Sequence, residues 1–440
     1  MIPKIVDLFS GCGGLTLGFE KAGFEIATGI EMMKAAVETV SYNFDYRYGK
    51  EASHICGDIT ITDSSVFKKA IGPEGCIVIG GPPCQAYSLA GRAKLKSLGM
   101  DREHTKDSRG YLFKDYLRIA LELDAKAIVM ENVVESVNFG GMNVPELVSC
   151  ELDEKGYEVF WTVLNAADFG VPQVRERIIL IAIKKDIQQS IQLPTPTHMQ
   201  VNDERVVYSN SLEKYLEFEH FRMPIKGDNL PCWTTVGDAL GDLPVLMPNA
   251  NTSYKQIKMN VSKKYSCEPS NDYQKLMRNW YGYGLPSVTG NSFRNNERDF
   301  RIFEQMKQGD NYLDASAIAD RLFENEAKNL GINKDDDEYE LLKSKRVPVY
   351  DRENFTYKCR RLREDRPSST IVAHLSKDTY SHIHPTEPRG ISVREAARLQ
   401  SFPDDFHFSC SMGDAYKQIG NAVPPLMAYA VAQKIMEAFR

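Results

Sequence analysis

The sequence predicts an α/β protein with a doubly wound, mostly parallel sheet, together with a smaller domain of irregular structure. Residues 1–183 alternate between short apolar stretches and longer helical patterns, the order typical of parallel strands joined by crossover helices. This alternation ends after Lys185, and Pro194–Thr197 has the composition of a linker. The last amphipathic pattern, Pro424–Phe439, is suited to packing back onto the first domain.

Short apolar stretches mark the predicted strands of the first domain. They are Lys4–Phe9, Glu25–Ile30, a short one within His54–Ile59, Cys76–Ile79, Ala127–Met130 and Ile178–Ile183. Helical patterns such as Gly14–Ala22 and Tyr111–Leu123 lie between them. Because parallel strands end at one edge of a sheet, the polar residues that follow these strands should gather there.

Length and composition exclude several classes of protein. With 440 residues, 42% hydrophobic and 26% charged, the chain is neither collagenous nor wholly disordered, and two or three domains are expected. Nine cysteines without a Cys-x-x-Cys pair indicate reduced thiols rather than a zinc ribbon, and we expect no metal site. The absence of a secretory signal and of a long apolar run predicts a cytoplasmic protein without a membrane partner.

Net charge, taken as a whole-chain average, argues against a nucleic-acid partner. The value is −6, but residues 1–183 hold 19 basic and 25 acidic side chains, so the whole acidic excess lies in the first domain. Two segments are locally basic: 91–106, with a net charge of +3, and 343–366, with nine basic and four acidic residues. Polyanion binding is therefore compatible with the charge distribution.

A glycine-rich turn follows the first predicted strand, in Asp7–Gly14. Glycines let the backbone approach a ligand and tighten a strand-to-helix turn. Glu31 ends the second strand and Asp58 follows the third, so two carboxylates reach the same edge. Neither a Gly-x-Gly-x-x-Gly pattern nor a Gly-Lys-Ser/Thr pattern is present, which favours an adenosine ligand without a phosphate group.

Cys84 stands in a loop directly after the fourth strand, between Pro82-Pro83 and the polar residues Gln85 and Ser88. Two prolines restrain this loop, which makes a buried, inert cysteine less expected here. By contrast, we interpret the other cysteines of the first domain as small buried hydrophobic residues. These are Cys12, Cys56, Cys76 and Cys150.

Two further charged groups lie at strand ends. Glu131 follows the strand Ala127–Met130, and Arg175 and Arg177 precede the strand Ile178–Ile183. The arginines alternate with Glu176, so they leave one face of an extended segment. A thiolate nucleophile, a proton donor and a fixed cation around one substrate are the chemistry that this set suggests.

At this point the chain resembles the C5-cytosine DNA methyltransferases over its whole length except for the variable middle. Seven or more ordered motifs carry the resemblance. They are Asp7–Gly14, Pro82–Gln85, Asp107–Phe113, Glu131–Val133, Gln173–Arg177, Arg394–Pro403 and Gln418–Pro425. The resemblance implies the class I fold of enzymes that use S-adenosylmethionine. It also implies that residues 1–188 with 412–440 form the catalytic domain and 189–411 the target-recognition domain.

The resemblance further implies a pocket for S-adenosylmethionine. Glu31 would bind the ribose and Asp58 the adenine amine, while the glycine-rich turn would lie under the cofactor. The complete set expected to contact it is Phe9, Gly11, Gly13, Gly14, Glu31, Met32, Asp58, Ile59, Pro83, Leu112, Asn421, Ala422 and Val423.

The catalytic roles are likewise implied by the family. Cys84 would add to C6 of a target cytosine, Glu131 would hold or protonate N3, and Arg177 would bind O2. Arg175 would support the loop or Glu131. Reaction at a ring carbon inside a duplex requires the base to be flipped out, at a cost of a few kcal/mol.

Contacts with double-stranded DNA are expected from the two basic segments and from the nucleophile loop. The residues predicted to make them are Gln85, Ser88, Arg92, Lys94, Arg360, Arg361 and Arg363. For the segment 343–366, an alternative is a surface ribbon of mutually paired charges.

Three competing functions are less consistent with the sequence than a DNA methyltransferase. A tRNA cytosine-C5 methyltransferase is disfavoured because the middle is long and lacks Cys-Phe-Thr, and a catalytically inactive DNA-binding homologue because Cys84 and Glu131 are intact. A nicotinamide-dependent dehydrogenase is disfavoured by the missing Gly-x-Gly-x-x-Gly. The expected context is a monomer in the bacterial cytosol or nucleoid, with room for a cognate restriction endonuclease as partner.

Overall fold

The computed structural model describes residues 2–83, 112–187, 189–200, 212–247, 258–294, 296–348 and 358–440. Within them the chain divides into two compact units, residues 1–233 with 422–440 and residues 234–421. No helix among the described residues is long and apolar enough to cross a membrane.

A seven-stranded sheet forms the centre of the first unit, and its order confirms the predicted fold class. The strands are β1 (Lys4–Leu8), β2 (Ile26–Glu31), β3 (His54–Cys56), β4 (Cys76–Gly80), β5 (Ala127–Asn132), β6 (Tyr157–Asn165) and β7 (Glu176–Lys184). Their order across the sheet is β3-β2-β1-β4-β5-β7-β6. Strands β1 to β5 pair in parallel, whereas β7 runs antiparallel to both β5 and β6. The sequence prediction missed β6.

Helices cover both faces of this sheet. They are α1 (Gly14–Lys21), α2 (Lys34–Phe44), α3 (Ser65–Lys68), α4 (Leu112–Glu122), α5 (Val144–Glu154) and α13 (Pro425–Ala438). Alternate residues of each strand supply the two cores. Ile178 and Leu180 pack with α4 and α5 on one face, whereas Ile179 and Ile181 pack with α1 and α13 on the other.

The second unit contains short helices and very little sheet among its described residues. Its helices are α6 (Val236–Leu240), α7 (Asp272–Arg278), α8 (Glu297–Gln305), α9 (Tyr312–Leu330), α10 (Asp337–Arg346), α11 (Val393–Leu399) and α12 (Met412–Asn421). The strands β8 (Lys263–Lys264) and β9 (Ser287–Val288) form a two-stranded ribbon. Among the residues that the structure describes, 3₁₀ turns cover Tyr46–Tyr48, Val134–Asn138, Ala166–Phe169, Leu212–Tyr215 and Ala373–Ser376.

The boundaries of the compact units differ from those of the predicted domains, 1–188 with 412–440 and 189–411. Residues 212–233 pack on the sheet unit because Phe221 pairs with Trp161 of β6 and Trp233 bonds to Asp168. Compactness does not define function, so the division into catalytic and recognition domains stays a prediction.

Candidate active site

The turn after β1 has the backbone geometry that its glycines permit. Gly11 and Gly13 have φ angles of 55° and 91°, which L side chains rarely adopt. A Cβ on Gly13 would lie 2.8 Å from the Phe44 ring, whereas one on Gly11 would meet no described atom within 4 Å. Phe9 also has a positive φ, 61°, a strained conformation of the kind that concentrates at functional sites. The turn is therefore tight on one side and open on the other.

Glu31, at the end of β2, is fixed by backbone donors. The Gly11 N–H donates to Oε2 at 3.1 Å and the Met33 N–H to Oε1 at 2.7 Å. Each carboxylate oxygen retains a lone pair for another donor. The neighbouring Met32 is 68% exposed, so an apolar side chain stands in solvent beside this carboxylate.

Asp58, just beyond β3, is oriented in a similar way. Its Oδ1 accepts from the Thr60 N–H at 2.9 Å and from the Thr60 hydroxyl at 2.8 Å. These hydrogen bonds lower the pKa of the exposed Asp58 carboxyl, which is therefore ionised near neutral pH. Ile59 beside it is buried.

The chemistry of these hydrogen-bond acceptors fits an uncharged nucleoside bearing an amine and vicinal hydroxyl groups. Two pre-oriented carboxylates accept hydrogen bonds, and the open side of Gly11 allows close approach. The other predicted contacts lie at element ends. Gly14 and Leu112 begin α1 and α4, Pro83 follows β4, Asn421 ends α12, and Ala422 and the buried Val423 precede α13.

Asp7 is a buried carboxyl of β1. It belongs to the motif Asp7–Gly14, but the sequence predicted no role for it. It is fully buried and accepts a hydrogen bond from the Thr16 hydroxyl, while its Oδ1 has no hydrogen-bond partner among the described residues. Burial raises its pKa to about 7, opposed by the Thr16 bond and assisted by the charge of Glu31. The signal that could have found it is an acidic residue inside an apolar strand.

Glu131 and the two arginines come together, as their positions in the sequence suggested. Because β7 runs antiparallel to β5, the start of β7 lies beside the end of β5, with Glu131 opposite Ile179. Arg177 Nε lies 2.9 Å from Glu131 Oε1. Both Arg177 and Arg175 act electrostatically on the Glu131 carboxyl. Arg175 is itself buried and donates to the Ala422 carbonyl at 3.1 Å.

The environment of Glu131 shifts the pKa of its carboxyl upwards. Only 8% of the residue is exposed, and this burial raises the pKa of its carboxyl even though Arg177 and Arg175 oppose the shift. A carboxyl poised in this way can donate a proton or a hydrogen bond to a substrate.

The two glycines at the end of β4 allow other groups to approach closely. A Cβ on Gly80 would lie 2.0 Å from the Leu8 carbonyl oxygen, and one on Gly81 would lie 2.9 Å from Glu131 Oε2. The backbone that leads into Pro82 and Pro83 therefore abuts the Glu131 carboxyl. The predicted nucleophile Cys84 lies outside the described residues, and so do Gln85, Ser88, Arg92 and Lys94.

The three arginines predicted to contact DNA in the second unit have different environments. Arg360 is exposed. Arg361 is buried, and its guanidinium donates to the carbonyls of Phe303, Met306 and Pro385, which favours a structural role. Arg363 forms two hydrogen bonds with Asp365, at 2.9 and 2.7 Å. For Arg363 this favours the alternative of mutually paired surface charges.

Similarity to known proteins agrees with this site. A crystal structure of a protein assigned as a DNA modification methyltransferase, encoded in an Escherichia coli prophage, superimposes with a TM-score of 0.65. It is 21% identical and 99% of each chain is covered. The strand order and this likeness agree with the class I methyltransferase fold.

The chain belongs to the C-5 cytosine-specific DNA methylases, whose family model matches residues 3–437. A protein of Oceanobacillus iheyensis assigned to the type II methyltransferases is 53% identical, with 98% of this chain and 95% of that protein covered. The type II methyltransferase M.XorII of Xanthomonas oryzae is 30% identical, covering 100% of this chain and 85% of that protein. M.AgeI of Thalassovita gelatinovora is 29% identical, covering 99% of both.

Proposed function

We propose that this protein transfers a methyl group from S-adenosylmethionine to C5 of a flipped-out cytosine in a specific duplex DNA site, through a covalent bond between Cys84 and C6. The observation that carries the proposal is the Glu131 carboxyl, whose pKa is raised by burial and which Arg177 contacts at 2.9 Å. Gly81 abuts this carboxyl and precedes Cys84 by three residues.

Protein groups would bind and orient the cofactor, which supplies an electrophilic methyl group. Glu31 and Asp58 present oriented carboxylates to the ribose and the adenine amine, and the open side of Gly11 lets the backbone approach. Phe9, Met32 and Val423 offer apolar surface or backbone around them.

Each catalytic group has a defined role in the proposed mechanism. The Cys84 thiolate adds to C6 while Glu131 donates to N3, so negative charge does not build up on the ring. Arg177 binds O2 and holds Glu131, and Arg175 fixes the start of β7 through the Ala422 carbonyl. Once C5 carries the methyl group that the bound cofactor would supply, loss of the C5 proton to a base restores the C5–C6 double bond and expels Cys84, and the proton on N3 returns to Glu131.

The biological setting is part of the same proposal. The similar proteins are named as type II methyltransferases, which supports duplex DNA as the substrate. We assign catalysis to residues 1–188 with 412–440 and DNA recognition to 189–411, including Arg360. The enzyme would act as a monomer in the bacterial cytosol or nucleoid, where a cognate restriction endonuclease would be its partner in the same system.

The decisive experiment is expression in a host free of cytosine methylation, followed by base-resolution sequencing of 5-methylcytosine in genomic DNA and in tRNA. We expect methylation of one cytosine within one recurring DNA sequence, and none with Cys84→Ala. The control Cys232→Ser, which changes an exposed cysteine, should methylate normally. Modified tRNA with unmodified DNA would mean that the substrate is tRNA and not DNA. Absence of 5-methylcytosine from both would contradict an enzymatic function.

A further inference from the structure

Three side chains of the types that bind metal ions lie close together in the sheet unit, two of them on α5. Glu146 and Cys150 are four residues apart on this helix, so they lie on one face. His220, 74 residues beyond Glu146, is the third member. One ligand atom from each lies within 4.8 Å of the other two. Cys150 and Cys56 are both exposed, which corrects the prediction from sequence that they are buried hydrophobic residues, whereas Cys12 and Cys76 are buried as predicted.

His220 is held in place by the backbone on either side of it. The Trp161 N–H donates to the His220 carbonyl at 2.9 Å, and the Arg222 N–H donates to the Trp161 carbonyl at 2.9 Å. The intervening Phe221 stacks near Trp161 with ring centroids 4.8 Å apart. These contacts fix the position of the imidazole against α5, so little conformational freedom remains to be lost when it binds a ligand.

The Glu146 carboxylate is oriented by two partners. Trp161 Nε1 donates to Oε2 at 2.6 Å, and the His220 N–H donates to Oε1 at 3.3 Å. Oε1 also lies 2.9 Å from His220 Nδ1. The Trp161 contact resembles the outer hydrogen bonds that orient carboxylate ligands at metal sites.

The surroundings of Cys150 are electronegative. The negative charges of Glu146, Glu219, Glu154 and Asp153 all act on its thiol. Lys185 compensates part of this charge through its contact with Asp153 at 2.8 Å. The remaining field attracts a cation, and a bound cation would in turn stabilise the thiolate.

A second cluster among the described residues, His384 with Glu387 and Glu395, has its charge already neutralised. The Arg389 guanidinium forms two hydrogen bonds with Glu395, at 2.8 and 2.7 Å, and one with Glu387 at 3.0 Å. A divalent ion would have to compete with this fully buried cation. By contrast, the hydrogen-bond partners of the Glu146 carboxylate among the described residues are Trp161 and His220, and neither is an arginine or a lysine.

We propose that Glu146, Cys150 and His220 form a binding site for a divalent transition-metal ion of the Zn²⁺ type. One sulfur, one nitrogen and one oxygen ligand suit Zn²⁺ and Co²⁺ better than Mg²⁺ or Ca²⁺, which prefer oxygen alone. The fourth position faces solvent beside the exposed Cys150, and binding releases the thiol proton to water. The ion would join α5 to the segment around Phe221. The spacing in sequence did not predict this site because the ligands come from a helix and a distant segment.

The test is Co²⁺ titration of tag-free, chelator-treated protein, followed by displacement with Zn²⁺. We expect saturable binding of one equivalent, with a thiolate-to-Co²⁺ absorption band. Cys150→Ser should remove the band and weaken binding by at least about 100-fold, since changing groups that only orient a ligand already costs 10–100-fold. His220→Gln should weaken binding to a similar extent.

Two controls separate this site from other thiols. Cys232→Ser and Cys84→Ser should both keep the full band, and Zn²⁺ should raise the melting temperature of these variants but not of Cys150→Ser. Because Cys150 is exposed, its replacement by serine should leave the fold intact. Lack of saturable Co²⁺ binding, or a band that persists in Cys150→Ser, would overturn the proposal whether or not the protein methylates DNA.

Discussion

The two compact units differ in what they bury. In the sheet unit, alternate strand residues such as Ile178 and Ile179 fill apolar cores on the two faces. In the described part of residues 234–421, by contrast, the interior contains three fully buried arginines: Arg389, Arg394 and Arg398. Arg398 forms ion pairs with Asp242 at 3.0 Å and with Asp404 at 2.5 Å. Arg394 donates to the carbonyls of Thr289, Pro403 and Phe406.

This difference shows how a unit with little regular structure can have one conformation. A sheet satisfies its own backbone groups, so its interior can be apolar. Irregular segments leave carbonyls unpaired, and a guanidinium with five donors can satisfy several of them at once. The reactive side chains of the candidate site, Glu131 and Arg177, lie on the sheet. In the second unit, buried ion pairs and hydrogen bonds of arginines fix the loops. Variants in the two units should therefore fail in different ways.

The largest effect is expected in the sheet unit, from Glu131→Gln. The amide keeps the shape of the side chain but cannot donate a proton, so the methylation rate should fall by about 10²–10⁴-fold. Steady-state and single-turnover kinetics measure this loss. The melting temperature and cofactor affinity should stay near those of the wild type, and a rate within a few-fold of the wild type would contradict the role of Glu131.

In the second unit, Arg398→Met should destabilise the protein by about 3–5 kcal/mol, because the buried Asp404 then loses its paired cation and the buried Asp242 keeps only Arg278. Denaturant unfolding, monitored by the proteolytic cleavage of residues 234–421, measures the change in the free energy of unfolding. The control Lys434→Met removes the partly exposed partner of Glu437 in α13 and should cost less than about 1 kcal/mol. Equal effects of the two variants would mean that the buried network adds no stability.

The smallest change, when measured over a single pH unit, is expected from Asp7→Asn, and it should depend on pH. The pKa of Asp7 is raised to about 7 in the fold, so its protonated form stabilises the protein below pH 4, and this contribution is lost as the pH rises towards 7. The stability of the wild type relative to the variant should fall over this range, by at most about 1.4 kcal/mol per pH unit. Melting temperatures at pH 5, 6, 7 and 8 give this difference, and a constant difference would mean that Asp7 is ionised throughout.

Much of the sheet could be predicted from sequence because its strands are short apolar runs between helices. β6 was missed although Val159–Leu164 is rich in β-branched and aromatic residues after Gly156, a pattern typical of a strand. The antiparallel direction of β7 could not be predicted, because β7 lies between β5 and β6 and its pairing with β5 joins residues that are distant in sequence. This direction is what brings Arg177 to Glu131.

The second unit was less predictable because charged residues are usually exposed. Sequence alone could not show that Arg361 is buried among carbonyls, or that Arg398 pairs with an aspartate 156 residues away. The glycine-rich turn and Glu31 were recognisable, since both depend on local pattern and on the position of strand ends.

Covalent trapping is the most direct test of the central claim, that Cys84 adds to C6 of a cytosine beside Glu131. The wild-type protein is incubated with S-adenosylmethionine and duplex DNA containing 5-fluorocytosine at the methylated position, where fluorine blocks loss of a proton from C5. We expect a denaturation-resistant complex whose tryptic peptide carries the nucleotide on Cys84, and no complex with Cys84→Ala. Absence of the adduct with the wild type, or attachment at another residue, would contradict the account.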